Sequence, residues 1–597
     1  MFRSSPSPLA VIAAACLLTV ALPAGSAMAQ KTKSKGPAAT TETTSSMPDV
    51  GVYIPEIVTA DSNVDEATLR DIFSGELSDN ADALAGLTAS SIDIPEIIIE
   101  VSVEVDGETS GSTLTVTDIS LGDVTEGVAA TVSLGGFEMS GDDDASGSFG
   151  AMQATDFNIA ALLGLYGLVE PDSTEMETLY SSFSFDGGTI SAPDGECTLG
   201  EVTGAEVRVR PIAFSFAEFF TLVEQLEAAE DEPPPELVGQ AMRMYADFMT
   251  AMEADPISFG GFDCAFQSDD GEQVRVAVGS GEADAFTVGH YPAISFEDIE
   301  LAVVDDGEIT IGNFTFKGID LTNLIDTLAS APESVDAAWF EANARLFVPA
   351  FEGISIADVS VDIPDPQAPK TRIKASLGAF DLTLGDYRNG IPAAIATSLE
   401  GLVVALPKNS QEESVHQLIS MGITSIDAGF NLDLAWDEAE NTIKVNDVSV
   451  SAADLASIAI GGTITSATID LFDLDADTAL AAAMALTVSD VQVEVTDDGA
   501  SDLVLEQVAA EQGARPADLR TVFAGLAQGT IVGQLATAAN AQQVAQAVAA
   551  FVQGTAKTLS LDLTAKAQPG VGLVDFLAAS ENPAALLDKV DVSAEAH

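Results

Sequence analysis

Histidine, cysteine and tryptophan are nearly absent, with three His, three Cys and two Trp among 597 residues. His290, His416 and His597 are far apart in sequence and no Cys-x-x-Cys occurs, which speaks against a zinc site built from these ligands. No G-x-S-x-G, P-loop or G-x-G-x-x-G is present, so the usual signs of serine hydrolases and of nucleotide or dinucleotide binding are missing. His290 beside Tyr291 reads as the end of a strand, and His416 among Glu412, Glu413 and Gln417 as a solvent-facing side chain. Positive charge is equally scarce: 22 Lys and Arg stand against 94 Asp and Glu, a net charge of −72. A surface of that sign repels phosphate backbones and anionic head groups, which argues against nucleic acid and against electrostatic docking on membranes.

Apolar residues are plentiful. The chain is 47% hydrophobic with a mean hydropathy of +0.26, enough for a sizeable core under an acidic surface. Residues 1–29 have the layout of a secretory signal peptide: Arg3, an apolar run over Leu9–Leu22, and Ala27-Met28-Ala29 before Gln30. Cleavage is expected after Ala29, placing the mature chain in the periplasm or outside the cell without a transmembrane segment. Cys16 falls inside that peptide. Cys197 and Cys264 remain in an oxidising compartment, 67 positions apart, and are expected to form a disulfide.

Gln30–Asp49 is rich in Ser, Thr, Lys and Pro and reads as a disordered tether. Beyond it, Asp-Gly-Glu recurs at 106–108, 194–196, 270–272 and 306–308, mostly between alternating apolar residues. Asp-Gly tolerates the positive φ of tight turns, so these predict antiparallel hairpins, with Asp498-Gly499 as a further candidate. Three segments share a small-apolar-Gly-x-apolar pattern: Ser148–Met152, Thr198–Val202 and Thr310–Phe314. Across Gly312 the apolar parity flips from Ile309 and Ile311 to Phe314 and Phe316. A flip of that kind predicts a β-bulge with one extra residue.

Helical periodicity and stop signals place helices at Glu66–Phe73, Ala217–Ala228, Leu237–Met252, Val335–Leu346, Glu412–Met421, Leu503–Glu511 and Pro516–Leu526. Thr521–Ala556 holds no charged residue. Within it Val544, Ala547, Val548, Phe551 and Val552 form one apolar helical face, expected to pack in a core or to line an apolar groove.

Acids this numerous pair by chance, and Trp339 and Trp436 are too far apart in sequence to suggest a sugar-stacking groove. Asp473-x-Asp475-x-Asp477 opens like an EF-hand loop, but Thr478 stands where Gly is required and Met484 where the bidentate Glu belongs. Asp142-Asp143-Asp144 reads as a solvated turn. No catalytic residue, metal ligand or cofactor site is expected.

The C-terminal half carries Gly385-Asp386-Tyr387-x-x-Gly390-Ile391-Pro392, Leu434-Ala435-Trp436-Asp437-Glu438, and Asp497-Asp498-Gly499 leading to the helix end at Ala509–Gly513. In this order it resembles large uncharacterised exported proteins of Gram-negative envelopes. More loosely it is similar to the AsmA-like group, whose long amphipathic sheets are associated with envelope lipid handling. The likeness spans roughly 351–592 and rests on turn and packing signals, so it transfers no functional residue. AsmA-like proteins typically keep an N-terminal membrane anchor, which the cleavable leader does not supply.

The reading is therefore an α+β protein of large twisted antiparallel β-sheets built from hairpins, with helices packed on one face. Its parts are a signal peptide (1–29), a linker (30–49), an N-terminal β-rich α+β region with internal repeats (50–346) and a C-terminal α+β region (347–597). The expected function is that of an exported, non-enzymatic envelope protein that binds an apolar ligand such as a lipid along an amphipathic sheet, or scaffolds the envelope. A surface or Ca²⁺-dependent interaction protein and a secreted hydrolase using paired carboxylates are the alternatives. Alkylating the unreduced protein should leave its intact mass unchanged; a gain of two alkyl groups would refute the Cys197–Cys264 bridge.

Overall fold

The computed structural model describes residues 49–597 apart from 75–76, 106–107, 142–144, 170–172, 215, 230–232, 269–270, 305, 366–367, 411, 536–537, 539, 573–574 and 577–585. The segment read as a signal peptide, all but the last residue of the segment read as a tether, and Asp142–Asp144, read as a solvated turn, lie outside the described residues. The architecture is α+β and mostly antiparallel sheet. Two compact units divide the chain: one runs to Ile212 and takes in Phe259–Gly271, the other comprises Ala213–Ser258 and Glu272–His597. The expected boundary near Leu346–Pro349 lies inside the second unit.

In the first unit the long hairpin Ala89–Val105 and Glu108–Thr125 closes on the pair Val105 and Glu108, as the first Asp-Gly-Glu turn implied. Its core gathers Ile92, Ile94, Ile97 and Val124 under the helix Glu66–Phe73, through Leu69 and Ile72. Asp65 caps that helix by accepting from the Thr68 amide, the arrangement that helix starts favour. Gly188–Ala192 and Gly195–Leu199 form a second hairpin, whose turn is Pro193-Asp194 with Gly195 already in the strand. Cys197 and Cys264 are register partners on adjacent strands, with sulfurs at disulfide distance, 1.96 Å.

The second unit is dominated by an antiparallel meander. Its strands are β1 (Ile294–Val303), β2 (Gly307–Phe316), β3 (Gly353–Asp365), β4 (Ala368–Gly385), β5 (Ala394–Ala405), β6 (Ser425–Asp437), β7 (Thr442–Ala452), β8 (Ala456–Thr465), β9 (Thr487–Asp497), β10 (Thr558–Ala565) and β11 (Val590–Ala596). Each pairs with the next in chain order. Three helices interrupt the order between β9 and β10: α1 (Ala500–Gln512), α2 (Pro516–Gln534) and α3 (Ala541–Gln553). Asp498-Gly499 is not a hairpin turn, as the sequence suggested; Gly499, at φ 148°, leads from β9 into α1. Pro516 begins α2 and Gly513 ends α1 in a left-handed cap, as the breaker residues imply.

The parity flip at Gly312 is real in the pairing but is not made by an inserted residue there. Before Gly312 the apolar pairs are Ile309 with Leu301 and Ile311 with Ile299; after it they are Phe314 with Phe296 and Phe316 with Ile294, all in one unbroken register. The neighbouring strands instead carry left-handed residues at that level, Asp298 (φ 53°) and Asp358 (φ 54°). A left-handed residue breaks the pleat, and Asp adopts it more readily than most. Both aspartates face Gly312 in the register, where a Cβ would lie 2.8 Å from the Asp358 Cβ. Inserted residues do occur elsewhere in the meander, as where the register between β5 and β6 shifts between Leu399 and Leu402 around Gly401 (φ 62°). Gly150 and Gly200, central in the other two copies of the pattern, are equally confined: a Cβ would lie 2.8 Å from the Asp186 Cβ and 2.3 Å from the Gly260 carbonyl oxygen.

Gly312→Ala should lower stability by about 1–3 kcal/mol, the range for forcing extra volume into a packed site. Gly385→Ala, whose Cβ would meet nothing closer than 4.0 Å, should change it by less than about 0.5 kcal/mol. Urea denaturation of both variants checks the contrast.

Candidate functional site

Register converts the alternation of single strands into rows that cross the sheet. One row of the second unit runs Phe296, Phe314, Ile356, Phe380, Leu399, Phe430, Val450, Ile458, Val495, Leu559 and Ala596, one residue from each of the eleven strands. Every member is apolar. The next residue back along β1 starts a row of opposite character: Ser295, Thr315, Ser355, Asp381, Ser398, Asn431, Ser449, Ala459, Glu494, Ser560 and Glu595. One face is hydrocarbon and the other carries hydroxyls and acids.

The apolar rows are covered unevenly. At their C-terminal end α3 lays Val544, Ala547, Val548 and Phe551 against Leu559, Leu561, Val592, Ala594 and Ala596. This is the apolar helical face read from the uncharged segment. In the other helix of that segment, α2, Ala524 is the buried residue, while Val522 and Leu526 are exposed and Gly525, Gly529 and Gly533 have open space beside them. Close packing in a core therefore describes α3 and not α2.

Further along, the rows lie open. Val450 is 57% exposed, Ile458 47%, Ile460 39% and Phe430 38%, and these four are contiguous across β6, β7 and β8. At about 4.8 Å between strands the patch spans roughly 10–15 Å, and its half-buried neighbours extend it on both sides. It is an open strip, not an enclosed groove. Shallow depressions lie over small side chains: one of about 260 Å³ is lined by Thr113, Thr115, Ser140, Ser148 and Thr189 in the first unit, another in the second by Ser398, Asn431, Ser449 and Ser451 together with Leu399 and Phe430.

The covered end is fastened by a half-buried cation. Arg520 on α2 is 13% exposed and donates to Asp502 at 2.6 Å, to the Ser501 hydroxyl at 2.8 Å and to the Val552 carbonyl of α3. Asp497, the last residue of β9, accepts from the amides of Gly499 and Ser501 and from the Ser501 hydroxyl. Burial pushes its carboxyl up, but the Ser501 hydroxyl and amide, the Gly499 amide and the Arg520 charge outweigh that and hold it below the usual carboxylate range.

Residues singled out for possible chemistry are dispersed. His290 Nδ1 stands 4.0 Å from Asp320 on an exposed strand end, and His416 is exposed on the helix Glu413–Ser420. Asp475 caps the helix Ala476–Met484 through the Thr478 amide, and Asp473 accepts from the Asp475 amide, so both act as local caps. Among the described residues no group of three or more His, Cys, Asp and Glu is placed to hold a metal ion. Trp339 packs with Phe340 and Phe347, and Trp436 with Phe472.

The Gly385–Pro392 and Leu434–Glu438 motifs meet at one corner of the meander. Arg388 lies 5.9 Å over the Trp436 ring and 3.7 Å from Glu438. The Tyr387 hydroxyl donates to Phe351, and the Trp436 indole to Ala467. They form a packed turn. What sequence reading missed was the strip itself, which single-strand alternation suggests but only cross-strand register assembles.

A family profile described as an uncharacterised protein matches residues 449–597, the stretch from mid-β7 through α1–α3 to β11. No curated protein and no solved structure matches the chain. Among the described residues no helix is long and apolar enough to cross a membrane.

Because the Asp497 carboxyl is depressed in the fold, its stabilisation should be complete above about pH 4 and lost as pH falls through the lowered value. Asp497→Asn should cost up to about 1 kcal/mol near neutral pH, given its solvent exposure. That difference should shrink as pH falls below about 4; melting curves of both proteins from neutral pH downward test it.

Proposed function

We propose that this is an exported, non-enzymatic envelope protein, loosely AsmA-like, that holds the hydrocarbon of a lipid against the open strip of its amphipathic sheet. On this reading the leader ending at Ala29 delivers it to the periplasm or cell surface, and helices cover one sheet face in part, with α3 closing one end. The observation that carries the reading is the unbroken apolar row across eleven strands, left open at Phe430, Val450, Ile458 and Ile460. Contiguous exposed hydrocarbon of this kind marks interaction sites. The backbone under it is already paired to strands on both sides, so the strip presents side-chain hydrocarbon and few hydrogen-bonding groups. Protein partners usually bring about one hydrogen bond per 100–200 Å²; an acyl chain needs none.

Native mass spectrometry of protein purified from periplasm should show a co-purifying lipid mass. The double variant Val450→Glu, Ile458→Glu should lose at least about tenfold of that occupancy. Its melting temperature should fall by no more than a few degrees, because both side chains are about half exposed. A clean unliganded mass for the unaltered protein would sink the proposal.

A further inference from the structure

We infer that the lipid held by the strip is one whose head group carries no net negative charge, so that zwitterionic or neutral amphiphiles are selected over anionic ones. This rests on the lipid reading above and adds the ligand's charge class. The open patch on β6, β7 and β8 is bounded by the connections at the two ends of these strands. At one end stand Asp437, Glu438 and Glu440, with Lys444 bound to Asp437 at 3.5 Å and Glu440 at 3.3 Å, and Arg388 bound to Glu438 at 3.7 Å. Both cations are already committed to acids. At the other end the connecting segments carry Lys408 among Glu412, Glu413 and Asp454. Behind the strip, the opposite face adds Asp427, Asp433 and Asp447 from the same strands. An acyl chain lying on Val450 and Ile458 must bring its head group to one of these rims. A phosphodiester without a compensating amine meets carboxylates there, within a chain of net charge −72. Such a field repels anions over about 30 Å at about 10 mM salt and over only about 3 Å at about 1 M.

The experiment uses two soluble probes with the same acyl chain, lysophosphatidylcholine and lysophosphatidylglycerol, each below its micelle concentration. Both are titrated calorimetrically into the full mature protein at low and at high salt. The zwitterionic probe should bind on the order of tenfold more tightly at low salt, and the ratio should fall toward one as salt rises. Val450→Glu, Ile458→Glu should weaken both probes, tying the measurement to the strip. Equal affinities at low salt, or tighter binding of the anionic probe, would overturn the charge selection and leave the lipid reading standing. Binding of neither probe would overturn both.

Discussion

Lateral alignment of apolar side chains across antiparallel strands is the constraint on which the rest of the second unit depends. Alternation within one strand fixes only which face a residue joins; register decides what stands beside it. Sliding β8 by one residue against β7 would set Ser457 or Ala459 beside Val450 in place of Ile458, and every apolar row would break there. The shifts at Leu399/Leu402, Val445/Val448 and Thr463/Ile464 absorb extra residues without losing that alignment. Helix α3 can dock across β10 and β11 because Leu559, Leu561, Val592 and Ala594 arrive side by side. The same rows, uncovered, make the open strip.

A second device lets long strands keep one apolar face while bending. Where Asp118, Asp298 and Asp358 take left-handed backbone, the apolar set changes parity: Leu114 and Val116 give way to Ile119 and Leu121, and Val359 and Val361 to Ile356 and Ile354. Each such aspartate has a glycine within contact, Gly135, Gly279 and Gly312, and any Cβ there would lie 2.8–3.0 Å from an aspartate Cβ. Aspartate supplies the backbone conformation and glycine the space. Neither residue type is there for chemistry, although acids recurring along a chain invite a metal-binding or catalytic reading.

Much of this architecture was legible from residues. Helix positions followed from periodicity and from breakers such as Pro516 and Gly513, and the hairpins at 105–108 and 303–307 from Asp-Gly turns. The short helices Ile159–Leu165 and Thr322–Ala329 were not placed by periodicity, although the equally short Glu66–Phe73 was. At their starts the steps Phe157-Asn158-Ile159 and Ile319-Asp320-Leu321 each set a polar residue between two apolar ones. There Asn158 and Asp320 accept from amides two or three residues ahead. The bulge expected at Gly312 is absent, because a parity flip reports a break in the pleat, which the left-handed Asp298 and Asp358 make without an extra residue. The legible sign was Asp followed by an apolar residue at each flip: Asp118-Ile119, Asp298-Ile299 and Asp358-Val359. Asp498-Gly499 shows the limit of dipeptide reasoning, since the same positive-φ glycine that closes a hairpin can also turn a strand into a helix.

The acidity and the open strip belong to one physical solution. Side-chain hydrocarbon exposed at Phe430, Val450 and Ile458 would draw copies together if nothing opposed it. A net charge of −72 supplies that opposition at a distance, before the apolar faces can touch. Attraction over the strip acts only at contact, whereas repulsion acts over the Debye length, so the balance discriminates by charge. On the lipid reading proposed above, another copy of this chain would bring its whole negative surface to the strip, whereas a small amphiphile without net charge would bring none. The scarcity of Lys and Arg, from which the sequence argues against a nucleic-acid or membrane surface, also leaves the field around the strip negative.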